Sequence, residues 1–276
     1  MTVGGALDAA TQRLRAAGSG SPRLDAELLL AHAAGWSRTA LLAHPERPLD
    51  GSAAHVLERL VARRADAEPM AYLLGEREFY GRVFKVDRRA LIPRPETELL
   101  VELGMAAVKR KREPRVVEVG TGCGAVAISL ALESDCAVVA TDVSREALLL
   151  AQENVCTLGG RVRLVQADLL RGLSGPIDVL LANLPYVPAQ RELPRDVNGH
   201  EPHVALFGGA RGTEMIERLL DEARGIVTGE LCVELDEEEQ AQPVAALARQ
   251  LYKGAYVSIE RDAGGYDRVV RVKLEP

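Results

Sequence analysis

The strongest constraint on the fold is an alternation, after residue 114, between short apolar runs rich in β-branched residues and longer helical segments. The predicted strands cover residues 115–119, 137–141, 161–166, 177–182 and 230–235. The predicted helices cover residues 125–132, 144–158, 213–226 and 238–251. Such an alternation is typical of an α/β domain with a mostly parallel sheet and crossover helices. Two final runs, residues 255–260 and 268–274, predict a closing antiparallel pair.

The first part of the chain has a helical pattern instead. Leu7, Ala10 and Leu14 recur at helical spacing, and residues 78–86 alternate large apolar and polar side chains around a glycine, which predicts a β-hairpin. We therefore expect a helical domain over residues 1–76, a hairpin linker over residues 77–92 and an α/β domain over residues 93–276.

Composition makes several classes of protein poor candidates. The net charge is −6 and only 4% of residues are aromatic, whereas binding long nucleic acid needs a basic surface and stacking side chains. The four cysteines form no C-x-x-C pair and no disulfide-dense pattern, so we expect no metal site and a reducing cytoplasm. No signal peptide is evident, and no apolar stretch approaches the roughly 20 residues of a membrane span.

A glycine-rich turn follows the first strand of the α/β region. The segment Gly120-Thr121-Gly122-Cys123-Gly124 lies between a predicted strand and a predicted helix. Missing side chains let a ligand approach the backbone closely, and the helix N-terminus offers unpaired N–H donors. Glu118 adds an acceptor that can point into the same site. The alternative is a tight strand-to-helix turn with no ligand.

Acidic residues follow the next two strands. Asp142 lies 22 residues after Gly120, where a carboxylate can accept both hydroxyls of a ribose. Asp168 follows the third strand and can accept from an adenine amino group. Capping or solvated aspartates are the alternatives at both positions. Because ligands of such sheets bind at the carboxyl ends of the strands, the glycine turn and Asp142 together predict a nucleoside site.

The glycine turn alone leaves the ligand open. Gly120, Gly122 and Ala125 fit the G-x-G-x-x-G/A pattern of NAD sites. A pyrophosphate-binding turn usually follows the first strand of a chain, however, and this one begins 120 residues in. Gly124 and Glu118 suit S-adenosylmethionine better, because that ligand is cationic at sulfur and has no phosphates.

A further strand end carries an amide, a proline and an aromatic ring in Asn183-Leu184-Pro185-Tyr186. The side-chain oxygen of Asn183 and the backbone carbonyl of Leu184 can face both hydrogens of a ligand NH2 group. Pro185 fixes φ and withholds a competing donor, and Tyr186 can stack on a flat amide or base. An ordinary Asn-x-Pro turn is the alternative. In a nucleoside-binding sheet, a methyl-acceptor site is favoured.

Together these strand ends resemble the class I S-adenosylmethionine-dependent methyltransferases that methylate planar amino groups. Residues 91–102, Leu-Ile-Pro-Arg-Pro-Glu-Thr-Glu-Leu-Leu-Val-Glu, are similar to the signature of one branch, the release factor glutamine N5-methyltransferase family, also known as HemK or PrmC. Residues 21–30, 68–80 and 201–209 are similar to the same family. The resemblance extends from about residue 5 to residue 272.

The resemblance implies a seven-stranded Rossmann-like methyltransferase sheet preceded by a small helical domain and a hairpin. It implies N5-methylation of the glutamine in the Gly-Gly-Gln motif of class 1 peptide chain release factors, with S-adenosylmethionine as the methyl donor. The helical domain would dock the release factor. We expect a cytoplasmic monomer with no nucleic-acid or membrane partner.

The resemblance and the patterns above also predict the site. The expected cofactor-binding residues are Glu118, Gly120, Thr121, Gly122, Cys123, Gly124, Asp142, Asp168, Leu169 and Asn183. The expected catalytic and substrate-binding residues are Asn183, Leu184, Pro185 and Tyr186, with Arg94 as a further substrate contact. Arg94, Glu96 and Glu98 are candidates for shaping the cofactor's methionine end or the domain junction, and the start of a helix at Pro95 is their alternative.

Two positions of the predicted site depart from the family pattern. Leu169 stands where an aromatic residue is frequent, so aliphatic contact would replace stacking on the adenine. Leu184 stands where a proline is usual, although its backbone carbonyl persists. Asn183-Leu184-Pro185-Tyr186 is also similar to the motif of rRNA adenine dimethyltransferases, which usually have a basic surface. A ribosomal-protein glutamine methyltransferase and a non-catalytic module of the same fold remain further alternatives.

Overall fold

The computed structural model describes residues 1–235 and 238–274. The helices are α1 (Val3–Ala16), α2 (Pro22–Ala34), α3 (Arg38–Ala43), α4 (Gly51–Ala65), α5 (Met70–Leu74), α6 (Glu98–Val108), α7 (Ala125–Ser134), α8 (Arg145–Leu158), α9 (Arg195–His200), α10 (Glu214–Glu222) and α11 (Glu238–Leu251). The strands are β1 (Glu76–Phe79), β2 (Arg82–Lys85), β3 (Val116–Val119), β4 (Val138–Asp142), β5 (Val162–Gln166), β6 (Ile177–Ala182), β7 (Val187–Pro188), β8 (Phe207–Gly209), β9 (Val227–Glu234), β10 (Tyr256–Arg261) and β11 (Asp267–Lys273).

The chain forms two compact units. The first contains Met1–Glu76 together with Leu193–His200, and the second contains Arg77–Glu192 and the described residues from Glu201 onward. The inclusion of α9 in the first unit was not predicted from the sequence. It means that the chain leaves the second unit shortly after the Asn183–Tyr186 segment and returns at Glu201.

The first unit is a helical bundle whose apolar faces follow the predicted spacing. Leu7, Ala10 and Leu14 of α1 are buried against leucines of α2 and α4. Buried carboxylates in this unit are paired: the Asp25 carboxylate accepts from Arg64 at 2.8 Å. A small helical unit is stabilised by the burial of its aliphatic side chains, and the pairing of its buried carboxylates with arginines avoids the cost of an unpaired buried charge.

The second unit is built on a seven-stranded sheet in the order β10-β11-β9-β6-β3-β4-β5. The strands from β9 to β5 are mutually parallel, and β11 pairs antiparallel with both β9 and β10. A separate hairpin of β1 and β2 precedes the sheet in the chain. The predicted fold class, an α/β unit with a seven-stranded sheet after a helical region and a hairpin, is confirmed.

The register of the parallel strands brings their carboxyl ends level. Val119 of β3 lies opposite Thr141 of β4 and Ala182 of β6. Ala182 in turn lies opposite Val233 of β9. The chain runs from β3 to β4 and β5 on one side and returns to β6 on the other, so the switch in strand order falls beside β3. Ligands of open parallel sheets bind at such a point.

Over the described residues, no helix is both long enough and apolar enough to cross a membrane.

Candidate active site

A cavity of about 340 Å³ lies at the carboxyl edge of the sheet, entirely within the second unit. All the predicted site residues line it except Gly124 and Tyr186. Wall residues that were not predicted include Ala90, Leu91, Thr97, Val143, Ala167, Val204, Phe207 and Met215. The predicted strand ends therefore converge on one site.

The glycine turn adopts a backbone conformation that residues other than glycine rarely adopt. Gly120 and Gly122 have φ values of 76° and 56°, in the left-handed region. A Cβ on Gly120 would lie 3.2 Å from the backbone oxygen of Asn183 and 3.1 Å from the Leu184 side chain. The turn and the Asn183 segment are thus packed backbone against backbone, which joins the predicted cofactor side of the cavity to the predicted substrate side.

Glu118 supports this turn from beneath. Its Oε2 accepts from the Thr121 hydroxyl at 2.6 Å and from the Ala127 backbone N–H at 3.0 Å. The carboxyl is buried, and burial raises its pKa from an ordinary value of 4.5 to about 7. The predicted acceptor therefore lines the cavity and also fixes the start of α7.

We expect Glu118→Gln to change the pH dependence of stability. Because the folded-state pKa is raised, the folded protein binds more protons than the unfolded chain between about pH 4.5 and pH 7, so wild-type stability falls as pH rises through that window. The neutral amide keeps an acceptor for Thr121 and Ala127 and avoids this loss. At pH 8 the variant should exceed wild type by on the order of 1–3 kcal/mol, with little difference at pH 4.5.

Urea unfolding of both proteins at the two pH values measures this difference. A variant that is equally destabilised at both values would show that the buried carboxyl does not titrate in this range.

Asp142 ends β4 and is held by the backbone. Its Oδ2 accepts from Gly122 N–H at 2.9 Å and its Oδ1 from Ser144 N–H at 2.8 Å. Burial raises the pKa of the carboxyl, and the N–H donors oppose that shift. Ser144 also caps α8 by accepting from Ala147 N–H at 3.2 Å. The carboxylate is thus rigidly placed in the cavity wall with acceptor capacity left for a ligand.

We expect Asp142→Ala to weaken S-adenosylmethionine binding by about 1–3 kcal/mol, because ribose hydroxyls would lose a buried acceptor. Calorimetric titration with the cofactor measures the change in Kd. Asp221→Ala is the control, since Asp221 lies on α10 in an exposed ion pair with Arg224. An unchanged Kd for Asp142→Ala would contradict ribose recognition at this residue.

The wall beyond Asp142 is aliphatic. Val143, Ala167 and Leu169 line it, and Leu169 is also buried in the main core of the sheet. The Asp168 carboxylate lies 2.5 Å from Arg218 Nη2 and 3.3 Å from Arg171 Nη1. These ion pairs occupy part of its acceptor capacity, so its contact with an adenine amino group stays a prediction.

Asn183 is held by two residues that the sequence did not single out. Its Nδ2 donates to Glu234 Oε1 at 2.9 Å and to Thr97 Oγ1 at 3.0 Å, and Thr97 Oγ1 donates to the same Glu234 oxygen at 3.0 Å. Glu234 ends β9 and is buried, as is Thr97. The available signal was positional: Glu234 lies at a strand end, and Thr97 lies within the segment 91–102.

The chain after Asn183 is anchored to the protein, although Leu184 and Pro185 still line part of the cavity. Leu184 is buried in the sheet core, and Tyr186 packs against the same core. Gln240 Nε2 donates to the Tyr186 backbone oxygen at 2.8 Å. Val187 of β7 pairs with Phe207 of β8. Stacking of Tyr186 on a substrate amide stays a prediction.

Arg94 lines the cavity, and its Nη2 lies 2.6 Å from the buried carboxylate of Glu201. The same carboxylate accepts from Ile92 N–H at 3.1 Å, so it joins two segments of the cavity wall. Pro95 begins a 3₁₀ turn, Pro95–Thr97, that leads into α6. Glu98 accepts from Tyr80 N–H at 2.8 Å, which ties α6 to the hairpin rather than to the cavity.

The described residues hold no group of three or more His, Cys, Asp or Glu side chains placed to bind a metal ion. The acidic and basic side chains that line the cavity include the carboxyl groups of Glu118, Asp142 and Asp168 and the guanidinium groups of Arg89 and Arg94.

Comparisons with known proteins agree with this geometry. A sequence model of the PrmC N-terminal domain matches residues 5–75, and a model of the methyltransferase small domain matches residues 96–197. A crystal structure of a methyltransferase from Pyrococcus furiosus superposes with a TM-score of 0.52 at 20% identity, covering 70% of this chain and 89% of that one. At that identity the likeness shows the fold alone.

Two bacterial relatives cover nearly the whole chain. The release factor glutamine methyltransferase of Deinococcus radiodurans is 39% identical over 97% of this chain and 96% of its own length. The protein of the same name from Moorella thermoacetica is 41% identical over 97% of each chain. With the glycine turn, the acidic strand ends and the Asn183 segment all present in one cavity, the chain belongs to the release factor glutamine methyltransferase family.

Proposed function

We infer that this protein transfers a methyl group from S-adenosylmethionine to the side-chain amide nitrogen (N5) of the glutamine in the Gly-Gly-Gln motif of class 1 release factors. The observation that carries this inference is the environment of Asn183. Both Nδ2 hydrogens are bound to Thr97 and Glu234. The oxygen of the same amide is left as an acceptor for a ligand, and we propose that the backbone carbonyl of Leu184 is the second acceptor.

The cavity fits S-adenosylmethionine by the chemistry of its walls. Carboxylates at 118, 142 and 168 and aliphatic surfaces predominate, which suits a cationic nucleoside without phosphates. We propose that Asp142 binds the ribose, that the turn from Gly120 to Cys123 approaches the methionine part, and that Leu169 contacts the adenine. When bound, the cofactor supplies an electrophilic methyl group on a positively charged sulfur.

The residues of this chain hold and orient the acceptor amide. An amide nitrogen is barely basic, because its lone pair is delocalised into the carbonyl. Acceptors at Asn183 Oδ1 and Leu184 O bind the two hydrogens of the NH2 group and draw density toward nitrogen. They also place that nitrogen at about 3–3.5 Å from the carbon it attacks, the distance of a near-attack pose. We propose that the proton lost from nitrogen passes to water after transfer, so positioning rather than a strong base provides the catalysis.

We propose that the helical unit docks the release factor and that the protein acts as a monomer in the cytoplasm, where translation terminates. We propose that Arg94, which is held by Glu201 and lines the cavity, contacts the substrate or the methionine carboxylate of the cofactor.

The test is mass spectrometry of a purified class 1 release factor after incubation with this protein and S-adenosylmethionine. We expect a gain of one methyl group on the glutamine that follows two glycines. A release factor with that glutamine replaced by alanine is the control and should gain nothing. Methylation only of ribosomal proteins or of rRNA in parallel incubations would replace this function with one of the alternatives.

A further inference from the structure

We propose that Glu234 and Thr97 determine the specificity of the site for a carboxamide over a carboxylate. They do so by locking the amide of Asn183 so that its oxygen, and never its NH2 group, faces the substrate. This inference rests on the proposed function and deepens it. It assigns the choice between a carboxamide and a carboxylate substrate to Glu234 and Thr97, which need not contact the reacting nitrogen of the substrate.

The hydrogen-bond count around Asn183 carries the argument. An asparagine amide has two N–H donors and one oxygen with two lone pairs. Both donors are used, one by Glu234 Oε1 at 2.9 Å and one by Thr97 Oγ1 at 3.0 Å. The single Thr97 hydroxyl hydrogen is also used, since it points to Glu234 at 3.0 Å. The three side chains thus form a closed triangle in which every donor has an acceptor.

The reversed orientation of Asn183 is strongly disfavoured by this triangle. Turning the amide by 180° would put its oxygen against Glu234 Oε1 with no hydrogen between the two atoms. It would also take away the two donors that Glu234 and Thr97 now have available. Glu234 and Thr97 are both buried, so water cannot easily replace the lost bonds.

The consequence concerns the substrate. With Asn183 locked, its Oδ1 is presented as an acceptor. Leu184 O is the second acceptor under the proposed function, and a ligand NH2 group satisfies both. A carboxylate offers only oxygen atoms there and would face these acceptors with no hydrogen to share. A site that is built to bind an N–H group rejects an analogue without it far more strongly than a size difference does.

The triangle is assembled from three separate parts of the fold. Thr97 comes from the 3₁₀ turn before α6, Asn183 follows β6, and Glu234 ends β9. The pairing of Ala182 with Val233 places the ends of β6 and β9 side by side. The lock therefore depends on strand register and on the 3₁₀ turn that leads into α6, and not on one flexible loop, which suits a group that must hold a fixed orientation.

The experiment uses the full-length protein, saturated with S-adenosylhomocysteine, and two forms of one class 1 release factor. One form has the native glutamine of the Gly-Gly-Gln motif, and the other has glutamate in its place. Calorimetric Kd values for both forms give a selectivity ratio. We expect wild type to bind the glutamine form at least about tenfold more tightly. We expect the isosteric double variant Glu234→Gln/Thr97→Val to reduce that ratio to below about threefold, because its Asn183 can turn either way.

Kinetic measurements provide a second test, because a purely structural role of Glu234 and Thr97 would not change kcat while leaving cofactor affinity intact. With the glutamine form, kcat of the double variant should fall by about 100-fold, whereas the Kd of S-adenosylmethionine should change by less than about threefold. Thr97→Ser keeps the hydroxyl and should retain more of the selectivity than Thr97→Val. This pair of single variants decides the question if the double variant does not fold.

Glu230→Gln is the matched control. Glu230 is a second buried carboxylate on β9, paired with Arg271 and Arg110 and absent from the cavity wall. It should lower stability and leave the selectivity ratio unchanged. The inference would be overturned if wild type methylated glutamine but bound the glutamine and glutamate forms equally well. It would also be overturned if the double variant kept the wild-type selectivity ratio. Absence of wild-type methylation would instead refute the proposed function.

Discussion

Asn183→Ala is expected to reduce kcat for release factor methylation by at least about 10²–10³-fold, the scale for removing one preorganised polar group from a reaction centre. The variant loses the acceptor that orients the substrate NH2 group, and it leaves Leu184 O as the remaining partner. Cofactor affinity should change little, because Asp142 and the glycine turn are held by their own contacts. A methylation assay and calorimetry with S-adenosylmethionine on the same preparation measure the two effects separately.

The control is Gln152→Ala, which removes an exposed side-chain amide from α8 in the same unit. It should match wild type in both measurements. Turnover of Asn183→Ala close to that of wild type would rule out the acceptor role of this residue. A parallel loss of cofactor binding would show that Asn183 contributes mainly to the cofactor side of the cavity.

The carboxyl ends of the strands were predictable from sequence because two simple rules act together there. Apolar β-branched runs mark buried parallel strands, and ligands of such sheets bind where those strands end. Gly120, Asp142, Asp168 and Asn183 each follow one of these runs, and all four line the same cavity. The local pattern was enough because the parallel register brings those ends level.

The contacts that orient these residues were not predictable in the same way. Thr97 and Glu234 are 137 residues apart in the chain and meet because α6, which follows Thr97, packs against β6 and β9. Glu118 was expected to face the ligand, and its hydrogen bonds to Thr121 and Ala127 appear only when the turn into α7 is formed. Each of these depends on three-dimensional register, for which a single sequence contains no periodic signal.

The second large effect is expected from Gly208→Ala. A Cβ at this position would clash with the backbone oxygens of Pro185 and Gly212, and neither atom belongs to a flexible side chain. The added methyl must therefore push β8 away from the segment that contains Pro185. Displacement of a reacting group by about 1 Å can cost 10²-fold in rate. We expect kcat to fall by about 100-fold or more, with a stability loss of about 1–3 kcal/mol from overpacking.

Gly229→Ala separates the two causes of that loss. A Cβ on Gly229 would clash in a comparable way with the backbone oxygen of Asp178, at the start of β9 and away from the cavity. This control should lose a similar amount of stability while its folded fraction keeps a wild-type kcat. Urea unfolding and the methylation assay on both variants make the comparison. If Gly208→Ala and Gly229→Ala lost activity equally, overall destabilisation would explain the effect. If only Gly208→Ala loses activity, the glycine is required because the segment that contains Pro185 needs backbone contact with β8 to hold its position.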